Sequence, residues 1–292
     1  MKILLAGASG LIGSEVARRA AGIHEVHRLV RRAPADATEH RWDPAERSIP
    51  AEVIEWADAV ISLSGASLAR LPWTQRYREE ILQSRVQATA TIAEAISHAD
   101  AAPASWVSAS AVGIYGDRPG EILAEGSPRG SGFLADVVDE WESATRPART
   151  RSRVVNARTG LVLAREGALQ PLILATRIGF GATVGTGRQH WPWIALADEA
   201  RALLHLATAS SLDGPVNLAG PQRARSKDIT AALAGSLHRP HLLRLPEFVL
   251  KTAMGLAAEE LLLADQAVDA HTLLEDGFVF EAPTVIEALA AL

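Results

Sequence analysis

The chain has 292 residues, of which 48% are hydrophobic and 22% are charged, a composition typical of a globular protein with a substantial core. Its formal net charge of -5 argues against a general nucleic-acid-binding protein, because such proteins carry clustered positive charge. The absence of cysteine excludes disulfides, thiolate metal sites and cysteine nucleophiles. No apolar segment reaches the ~20 residues of a membrane-spanning helix, so we expect a cytoplasmic protein with no membrane partner.

The chain begins with an apolar run, a glycine-rich turn and a helical pattern. Ile3 to Ala6 predicts a buried parallel strand, and Leu11 to Ala21 predicts a helix. The turn between them has the spacing G-x-x-G-x-x-G, which differs from the G-x-G-x-x-G dinucleotide fingerprint in the position of its first glycine. Glycines let an anionic ligand approach the backbone, and the unpaired amides of a helix start bind phosphate. The sequence therefore predicts a pyrophosphate site formed by Gly7, Ser9, Gly10, Leu11, Ile12 and Gly13.

Apolar runs and helical patterns continue to alternate along the chain. The alternation predicts an α/β fold with a doubly wound, Rossmann-type parallel sheet. Further strands are predicted at Val26 to Val30, Ala59 to Leu63, Ser105 to Ser110 and Arg153 to Ala157, and a long helix at Gln75 to His98.

After Gly160 the alternation loosens, which predicts a Rossmann domain over residues 1-165 and a smaller C-terminal lobe over residues 166-292. A strand at Pro215 to Ala219 is expected to rejoin the sheet. Helices are predicted in this second part at Ala197 to Ala209, Lys227 to Leu237 and Pro246 to Leu263. Its Leu- and Ala-rich helices are compatible with a homodimer and equally with a buried core.

Two strand ends refine the cofactor prediction. Arg31 and Arg32 follow the second strand, where a carboxylate would bind the ribose hydroxyls of NAD and arginines would neutralise the 2′-phosphate of NADP. The pair therefore favours NADP(H), although a solvated strand end would also carry arginine. Leu63, Ser64 and Gly65 end the third strand, where small residues let a cofactor lie against the sheet edge.

Several segments together resemble the extended short-chain dehydrogenase/reductase superfamily, and in particular its epimerase branch. They are Gly7 to Gly13, Ser64 to Ala66, Ser108 to Gly116 and Arg158 to Gly160. Less common segments make the chain similar to the atypical epimerase family proteins of subfamily 39U, which carry a short C-terminal extension: Pro72 to Thr74, Glu80 to Val86, Gly185 to Gln189 and Trp193-Ile194. This resemblance implies NADP(H) as cofactor, with contacts from Arg31, Arg32, Leu63, Ser64, Glu80, Arg85 and Leu161.

The sequence departs from the superfamily in its catalytic residues. Members of the superfamily use a Tyr-x-x-x-Lys pair, in which tyrosine exchanges a proton with the substrate and lysine lowers the tyrosine pKa. Phe133 and Val137 stand at the matching positions here. A serine that assists this chemistry is present as Ser110, with Ser108 as the other candidate. Tyr115 is the predicted alternative proton donor, although packing beside a glycine explains it equally well.

Three classes of function remain open at this point. The first is an oxidoreductase or epimerase-like enzyme that transfers hydride between NADP(H) and a small carbonyl or hydroxyl substrate, with Ser110, Tyr115 or Asp136 as the acid. The second is a non-catalytic NADP(H)-binding sensor, and the third is a structural scaffold, which the intact glycine turn disfavours.

Polar and aromatic residues cluster after a glycine-rich loop in the second lobe. Arg188, Gln189, Trp191 and Trp193 could line a pocket for a small substrate, or the tryptophans could pack the lobe. The pair His238 and His241 lacks a nearby carboxylate and is separated by proline, so no metal site is predicted.

Overall fold

A computed structural model describes residues 1–290 and 292. Its strands are β1 Lys2–Ala6, β2 Glu25–Val30, β3 Glu39–Arg41, β4 Ala59–Ser62, β5 Ser105–Ala111, β6 Ile122–Leu123, β7 Arg153–Thr159, β8 Leu161–Leu163, β9 Gly181–Val184, β10 His190–Trp191, β11 Trp193–Ala195, β12 Gly214–Leu218, β13 Ala224–Arg225, β14 His241–Leu245 and β15 Ala267–Val268. Its α-helices are α1 Leu11–Ala20, α2 Ala51–Trp56, α3 Gln75–His98, α4 Phe133–Ser143, α5 Gln170–Arg177, α6 Leu196–Thr208, α7 Ser226–Ser236, α8 Glu247–Met254, α9 Leu256–Ala258, α10 His271–Glu275 and α11 Val285–Ala290.

Seven strands form one parallel sheet in the order β12-β7-β5-β4-β1-β2-β3. The order reverses at β1, because the chain first builds outward through β2 and β3 and then returns to add β4 on the other side. In a doubly wound sheet a ligand crevice lies at the carboxyl ends of the strands beside such a reversal. The Rossmann-type prediction is confirmed, and β12 rejoins the sheet as expected.

Alternating side chains give the sheet two apolar faces. Odd-numbered residues such as Ile3, Ile61 and Val155 contact the core that contains α1 and α6. Even-numbered residues such as Leu4 and Val60 contact α2 and α3 instead. All seven strands run in the same direction. Because α1 follows β1 and α6 leads into β12, both helices begin at the carboxyl edge of the sheet.

The predicted bounds of α3 agree with the structure, where Thr74 caps the helix by accepting a hydrogen bond from the Tyr77 amide at 3.2 Å. The single helix predicted for Pro246 to Leu263 is wrong. Gly255, at φ +57°, separates α8 from α9, and a π-helical turn follows at Glu259–Leu263. The predicted domain division at residue 165 stays a prediction. None of the described helices is both long and apolar enough to cross a membrane.

Candidate functional site

The glycine turn between β1 and α1 is folded too tightly for side chains. A Cβ on Gly13 would stand 2.2 Å from the Gly7 carbonyl oxygen, and a Cβ on Gly7 would stand 2.8 Å from the Leu63 carbonyl carbon. Gly7 also has φ +83°, which favours glycine. The Gly10 amide closes the turn on the Gly7 carbonyl at 3.0 Å. The backbone after β1 therefore lies directly against the backbone after β4 at the sheet edge.

The start of α1 carries the features of an anion site. Gly10 is the N-cap residue, and within the described chain no side chain caps this helix and no acidic residue lies in its first turn. The first amides of a helix lack intrahelical acceptors and lie at the positive end of its dipole. The predicted pyrophosphate residues of this turn, including Ser9, Leu11 and Ile12, therefore form one open loop-to-helix junction.

The two arginines after β2 differ in their surroundings. Arg31 is exposed, whereas Arg32 donates from Nη1 and Nη2 to the two carboxylate oxygens of Glu39, at 2.6 and 2.7 Å. These hydrogen bonds, with one from the Ala35 amide, hold the pKa of Glu39 below its usual value. Glu39 lies on β3, a strand that sequence analysis missed because only three residues form it. Its bidentate contact fixes the direction of the Arg32 guanidinium.

Arg85 holds the Ser64 to Ala66 loop, which follows β4, by contacts to its backbone. Its Nη1 donates to the carbonyl oxygens of Ala66 and Ile81, at 3.1 and 3.0 Å, and its side chain would lie 3.2 Å from a Cβ on Gly65. Burial lowers the pKa of Arg85 to about 10. The residue therefore shapes the Ser64 to Ala66 loop through backbone contacts. Glu80 is exposed near the start of α3, and the half-buried Leu161 begins β8 beyond the end of β7.

Both predicted catalytic residues belong to one buried polar network. The Ser110 hydroxyl donates to Glu142 at 2.6 Å, and the Tyr115 hydroxyl donates to Asn217 Oδ1 at 2.7 Å. Arg158 joins them, because it donates to Glu142 from Nε at 2.8 Å and to the Tyr115 oxygen from Nη1 at 3.0 Å. Burial raises the pKa of Tyr115, which has no exposed surface.

This network favours structural roles for Ser110 and Tyr115. Ser110 has an even number in β5 and faces α4, the helix that carries Glu142. The Tyr115 oxygen already donates one hydrogen bond and accepts another inside the protein. A side chain in that position cannot reach a substrate in this conformation. Ser108 is also fully buried, and the exposed Asp136 is ion-paired with Arg129.

The positions of the missing dyad are filled with apolar contacts. Val137 is buried, and the Phe133 ring lies edge-on to Trp73 with centroids 5.7 Å apart. The apolar cluster around them also contains Ala257 of α9. The C-terminal segment therefore packs directly on the helix that carries the dyad in the superfamily.

Glu260, which lies in this C-terminal segment, caps the N-terminus of α4 with its side chain. Its carboxylate oxygens accept hydrogen bonds from the Phe133 and Leu134 amides, at 2.8 and 3.1 Å. Burial raises the pKa of Glu260 despite these contacts. Glu260 also borders a cavity of about 520 Å³ between the turn after β5 and α8, together with Gly113, Gly116 and Lys251. The sequence places Glu259 and Glu260 at the polar edge of an amphipathic helix but does not indicate that Glu260 caps α4, because its partners lie more than 120 residues away.

Gly132→Ala should destabilise the protein by about 2 to 4 kcal/mol, the sum of backbone strain and a disturbed cap. Gly132 has φ +117°, and a Cβ there would stand 2.5 Å from Glu260 Oε1. Gly120→Ala is the matched control, because Gly120 has φ +80° and open space around its Cβ position. Urea denaturation of both variants measures the difference; equal losses would show that the Glu260 contact contributes nothing.

Three of the four predicted pocket residues are buried and hydrogen-bonded within the protein. Trp191 and Trp193 are buried, and their indole N–H groups donate to the carbonyl oxygens of Leu262 and Gln222, at 3.0 and 2.8 Å. The Gln189 amide donates to the same Leu262 oxygen at 3.0 Å. Arg188 alone is exposed. These contacts favour the interpretation that the tryptophans pack the protein interior over the one that they line a substrate pocket. The hydrogen bond of Gln189 connects the glycine-rich loop to the C-terminal segment.

Two family models match separate parts of the chain. One, described as the NAD dependent epimerase/dehydratase family, matches residues 3–131. The other, described as a domain of unknown function (DUF1731), matches residues 245–292. The second match covers the segment that contains α8, α9 and Glu260.

Full-length relatives agree with both matches. The chain is 38% identical over 291 residues to an epimerase family protein of Mycobacterium leprae, with 99% of this chain and 94% of the relative covered. It is 30% identical over 295 residues to human epimerase family protein SDR39U1, with 99% and 98% covered. A crystal structure of human SDR39U1 with NADPH has a TM-score of 0.91 at 30% identity, covering 100% of this chain and 98% of that chain. The predicted resemblance to subfamily 39U is confirmed, and the chain belongs to the epimerase family that includes SDR39U1.

Proposed function

We propose that this protein binds NADP(H) and uses it for hydride transfer with a small carbonyl or hydroxyl compound. The glycine turn is the observation that carries the proposal. A Cβ on Gly13 would stand 2.2 Å from the Gly7 carbonyl oxygen, so only glycine fits at this position. The turn leads into the start of α1, which has no side-chain cap and whose free amides can bind phosphate. The human relative crystallised with NADPH supports the choice of cofactor. NADP(H) would supply the hydride, and the protein would bind and orient it.

Each part of the crevice has a role in this proposal. The amides of Gly10 to Gly13 would hold the pyrophosphate, and the Ser64 to Gly65 loop would lie along the cofactor with Arg85 as its support. Arg31 and Arg32 would neutralise the 2′-phosphate. Glu39 fixes the direction of the Arg32 guanidinium through two hydrogen bonds, so in this proposal it would act as a positioning residue.

A non-catalytic NADP(H) sensor is the second candidate, and one observation favours it. Ser110 and Tyr115 are buried in a network, while Phe133 and Val137 replace the proton-transferring dyad. The absorbance of NADPH followed in the presence of a panel of small aldehydes and ketones separates the two. Oxidation dependent on the carbonyl compound supports the enzyme, whereas tight NADPH binding without oxidation supports the sensor.

Arg31→Ala should weaken NADPH binding by about 10- to 100-fold and leave NADH binding nearly unchanged, because one charge-assisted contact to phosphate contributes about 1.5 to 3 kcal/mol. Calorimetric titration with both nucleotides measures this change. Arg32→Ala is best combined with Glu39→Gln, since the single change would remove the two short hydrogen bonds of the buried Glu39 carboxylate and leave it only Arg28, at 3.8 Å, as a cation. Arg239→Ala, at an exposed arginine before β14, is the control. An equal loss for NADH and NADPH would contradict the 2′-phosphate assignment.

A further inference from the structure

The cavity of about 520 Å³ that Glu260 borders lies between the central sheet and the C-terminal segment. Gly113 and Gly116 line it from the turn that directly follows β5, so one of its walls stands at the carboxyl edge of the sheet. Gln266 fastens the C-terminal segment to this turn, because its Nε2 donates to the Val112 and Gly116 carbonyl oxygens, at 3.2 and 2.9 Å. The end of β5 is two strands from the glycine turn, roughly 10 Å at ordinary strand spacing.

This side of the sheet is where the nicotinamide half of the dinucleotide would lie. In the proposed function, Arg31 and Arg32 place the adenosine half at the end of β2, and the turn after β1 holds the pyrophosphate. The remaining half then extends past the end of β4 toward β5. A substrate in the cavity would therefore adjoin the reacting half of the cofactor.

Glu260 differs from the other ionisable residues that line this cavity. The others are exposed: Asp117, Glu247, Lys251 and Glu259. Glu260 is half-buried, and its two oxygens accept hydrogen bonds from two amides at the start of α4. Each carboxyl oxygen has two lone pairs, so both oxygens can still take up a proton or a substrate hydrogen bond.

Both protonation states of Glu260 are stabilised by its surroundings. Burial raises its pKa above the ordinary value of 4.5, and the negative charges of Asp136 and Glu259 raise it further. The hydrogen bonds from the α4 amides lower it only in part. Burial thus favours the neutral acid, whereas the amides and the positive end of the α4 dipole favour the carboxylate. A group in such surroundings can give a proton and take it back.

The charged groups on the elements around Glu260 are mostly engaged with one another. Asp136 of α4 pairs with Arg129, Arg78 of α3 faces the Phe133 ring at 5.9 Å, Lys251 of α8 pairs with Glu259 at 3.2 Å, and Asp117 accepts a hydrogen bond from the Asp265 amide. Glu247, at the start of α8, is exposed. Glu260 takes part in none of the ion pairs of the described residues. Its proton is therefore not displaced by a paired cation.

Glu199 of α6 is the second carboxyl group whose pKa is raised by burial. It has no exposed surface, and the Thr159 hydroxyl donates to its Oε1 at 2.7 Å. Since no substrate atom can reach such a group in this conformation, Glu260 is the carboxyl group that is available for proton exchange.

Resting on the proposed function, we propose that the cavity is the substrate site and that Glu260 is its catalytic acid, which donates a proton to the carbonyl oxygen of the substrate. In the reduction, the carbonyl carbon gains the hydride from NADPH and the carbonyl oxygen gains the proton. The C=O π bond, the Glu260 O–H bond and one C–H bond of NADPH break, while one C–H and one O–H bond form on the substrate. The products are the alcohol, NADP⁺ and the Glu260 carboxylate, and oxidation of the alcohol reverses each change.

The charge of the cavity wall selects the class of carbonyl compound. Four carboxyl residues line it, together with the single cation Lys251, which already pairs with Glu259. A phosphate or carboxylate group on the substrate would be repelled by these charges. The cavity therefore fits an uncharged or cationic carbonyl compound, and not one that is attached to a nucleoside diphosphate.

Glu260→Gln should lower the rate of carbonyl reduction by about 100-fold or more, the usual contribution of a general acid. The wild-type rate should fall as pH rises through the pKa of Glu260, because only the protonated form donates, whereas the rate of the Gln variant should not depend on this group. Glu260→Asp keeps a shorter acid, so it should be slower than the wild type and retain a pH dependence. Glu140→Gln removes an exposed carboxylate from the same α4 helix and is the matched control.

Two further readouts do not depend on turnover. Calorimetric titration should give the same NADPH affinity for Glu260→Gln and the wild type, because the carboxyl group contacts the substrate and not the cofactor. Carbon-13 NMR titration of the glutamate carboxyl groups, with Glu260→Gln identifying the signal, should give a pKa above 4.5. A signal that titrates at or below 4.5 would overturn the acid role. Urea denaturation checks the fold of each variant, since Glu260 also caps α4.

The substrate class is tested with matched pairs of neutral and anionic carbonyl compounds, such as dihydroxyacetone and dihydroxyacetone phosphate. The neutral member should have a kcat/KM higher by at least about tenfold, and a preference for the anionic members would overturn the assignment of the cavity. A Glu260→Gln rate equal to that of the wild type, or an unchanged pH profile, would overturn the acid role and leave the proposed function in place. Oxidation of NADPH by the wild type with no aldehyde or ketone would overturn hydride transfer and this inference together.

Discussion

Glu199→Gln is expected to raise the free energy of unfolding at pH 7 by about 3 kcal/mol. In the unfolded chain Glu199 ionises near its ordinary pKa of 4.5, whereas the folded protein holds the proton up to about 8. Unfolding between these values releases a proton, so each pH unit above 4.5 costs the wild type about 1.4 kcal/mol. The stability contribution is therefore complete below pH 4.5 and is lost as pH rises through 8. Glutamine keeps the Thr159 hydrogen bond and does not titrate.

Urea denaturation of both proteins at pH 5, 7 and 9 measures this difference, which should increase with pH. Glu15→Gln provides a control of opposite sign. Hydrogen bonds from Arg18 chiefly lower the pKa of Glu15 to about 2, so its contribution is present above pH 4.5 and is lost as pH falls toward 2. The Glu15 variant should be less stable than the wild type at pH 7. Parallel stability curves for Glu199→Gln and the wild type would show that Glu199 is not protonated in the folded state.

The parts of the fold that sequence analysis predicted correctly have local causes. The glycine turn and α3 follow from backbone freedom, helix capping and hydrophobic period, all readable within a few residues. The break at Gly255 illustrates the limit, since an apolar helical pattern on both sides concealed a residue with positive φ. β3 was missed because three residues carry too little pattern.

The candidate site depends on contacts that the sequence does not display. Ser110 ends a predicted strand and Tyr115 follows it, but their roles depend on Glu142, Arg158 and Asn217. Glu260 reaches α4 from the C-terminal segment. Motif spacing predicts a phosphate-binding turn, because a role of that kind resides in backbone geometry. It could not locate a proton donor, since that function depends on burial and on distant partners.

The ion pair between the buried Arg158 and the partly buried Glu142 provides the second large expected effect. Arg158→Met should destabilise the protein by about 3 to 5 kcal/mol, because Glu142 would keep its charge inside the protein without a cation. Arg158 is 7% exposed and donates to both Glu142 oxygens, at 2.8 and 2.9 Å. The same change removes the hydrogen bond that the Tyr115 oxygen accepts. Thermal and urea denaturation measure the loss.

Two companion variants separate the ion pair from the rest of the network. Tyr115→Phe removes one hydroxyl and should cost about 1 kcal/mol, with NADPH affinity unchanged if Tyr115 is structural. The double variant Arg158→Met with Glu142→Met should recover much of the stability, because it removes both buried charges together. A loss for Arg158→Met no larger than that for Tyr115→Phe would mean that Glu142 finds another partner or a proton. A loss of NADPH affinity in Tyr115→Phe would instead indicate that Tyr115 contributes to cofactor binding.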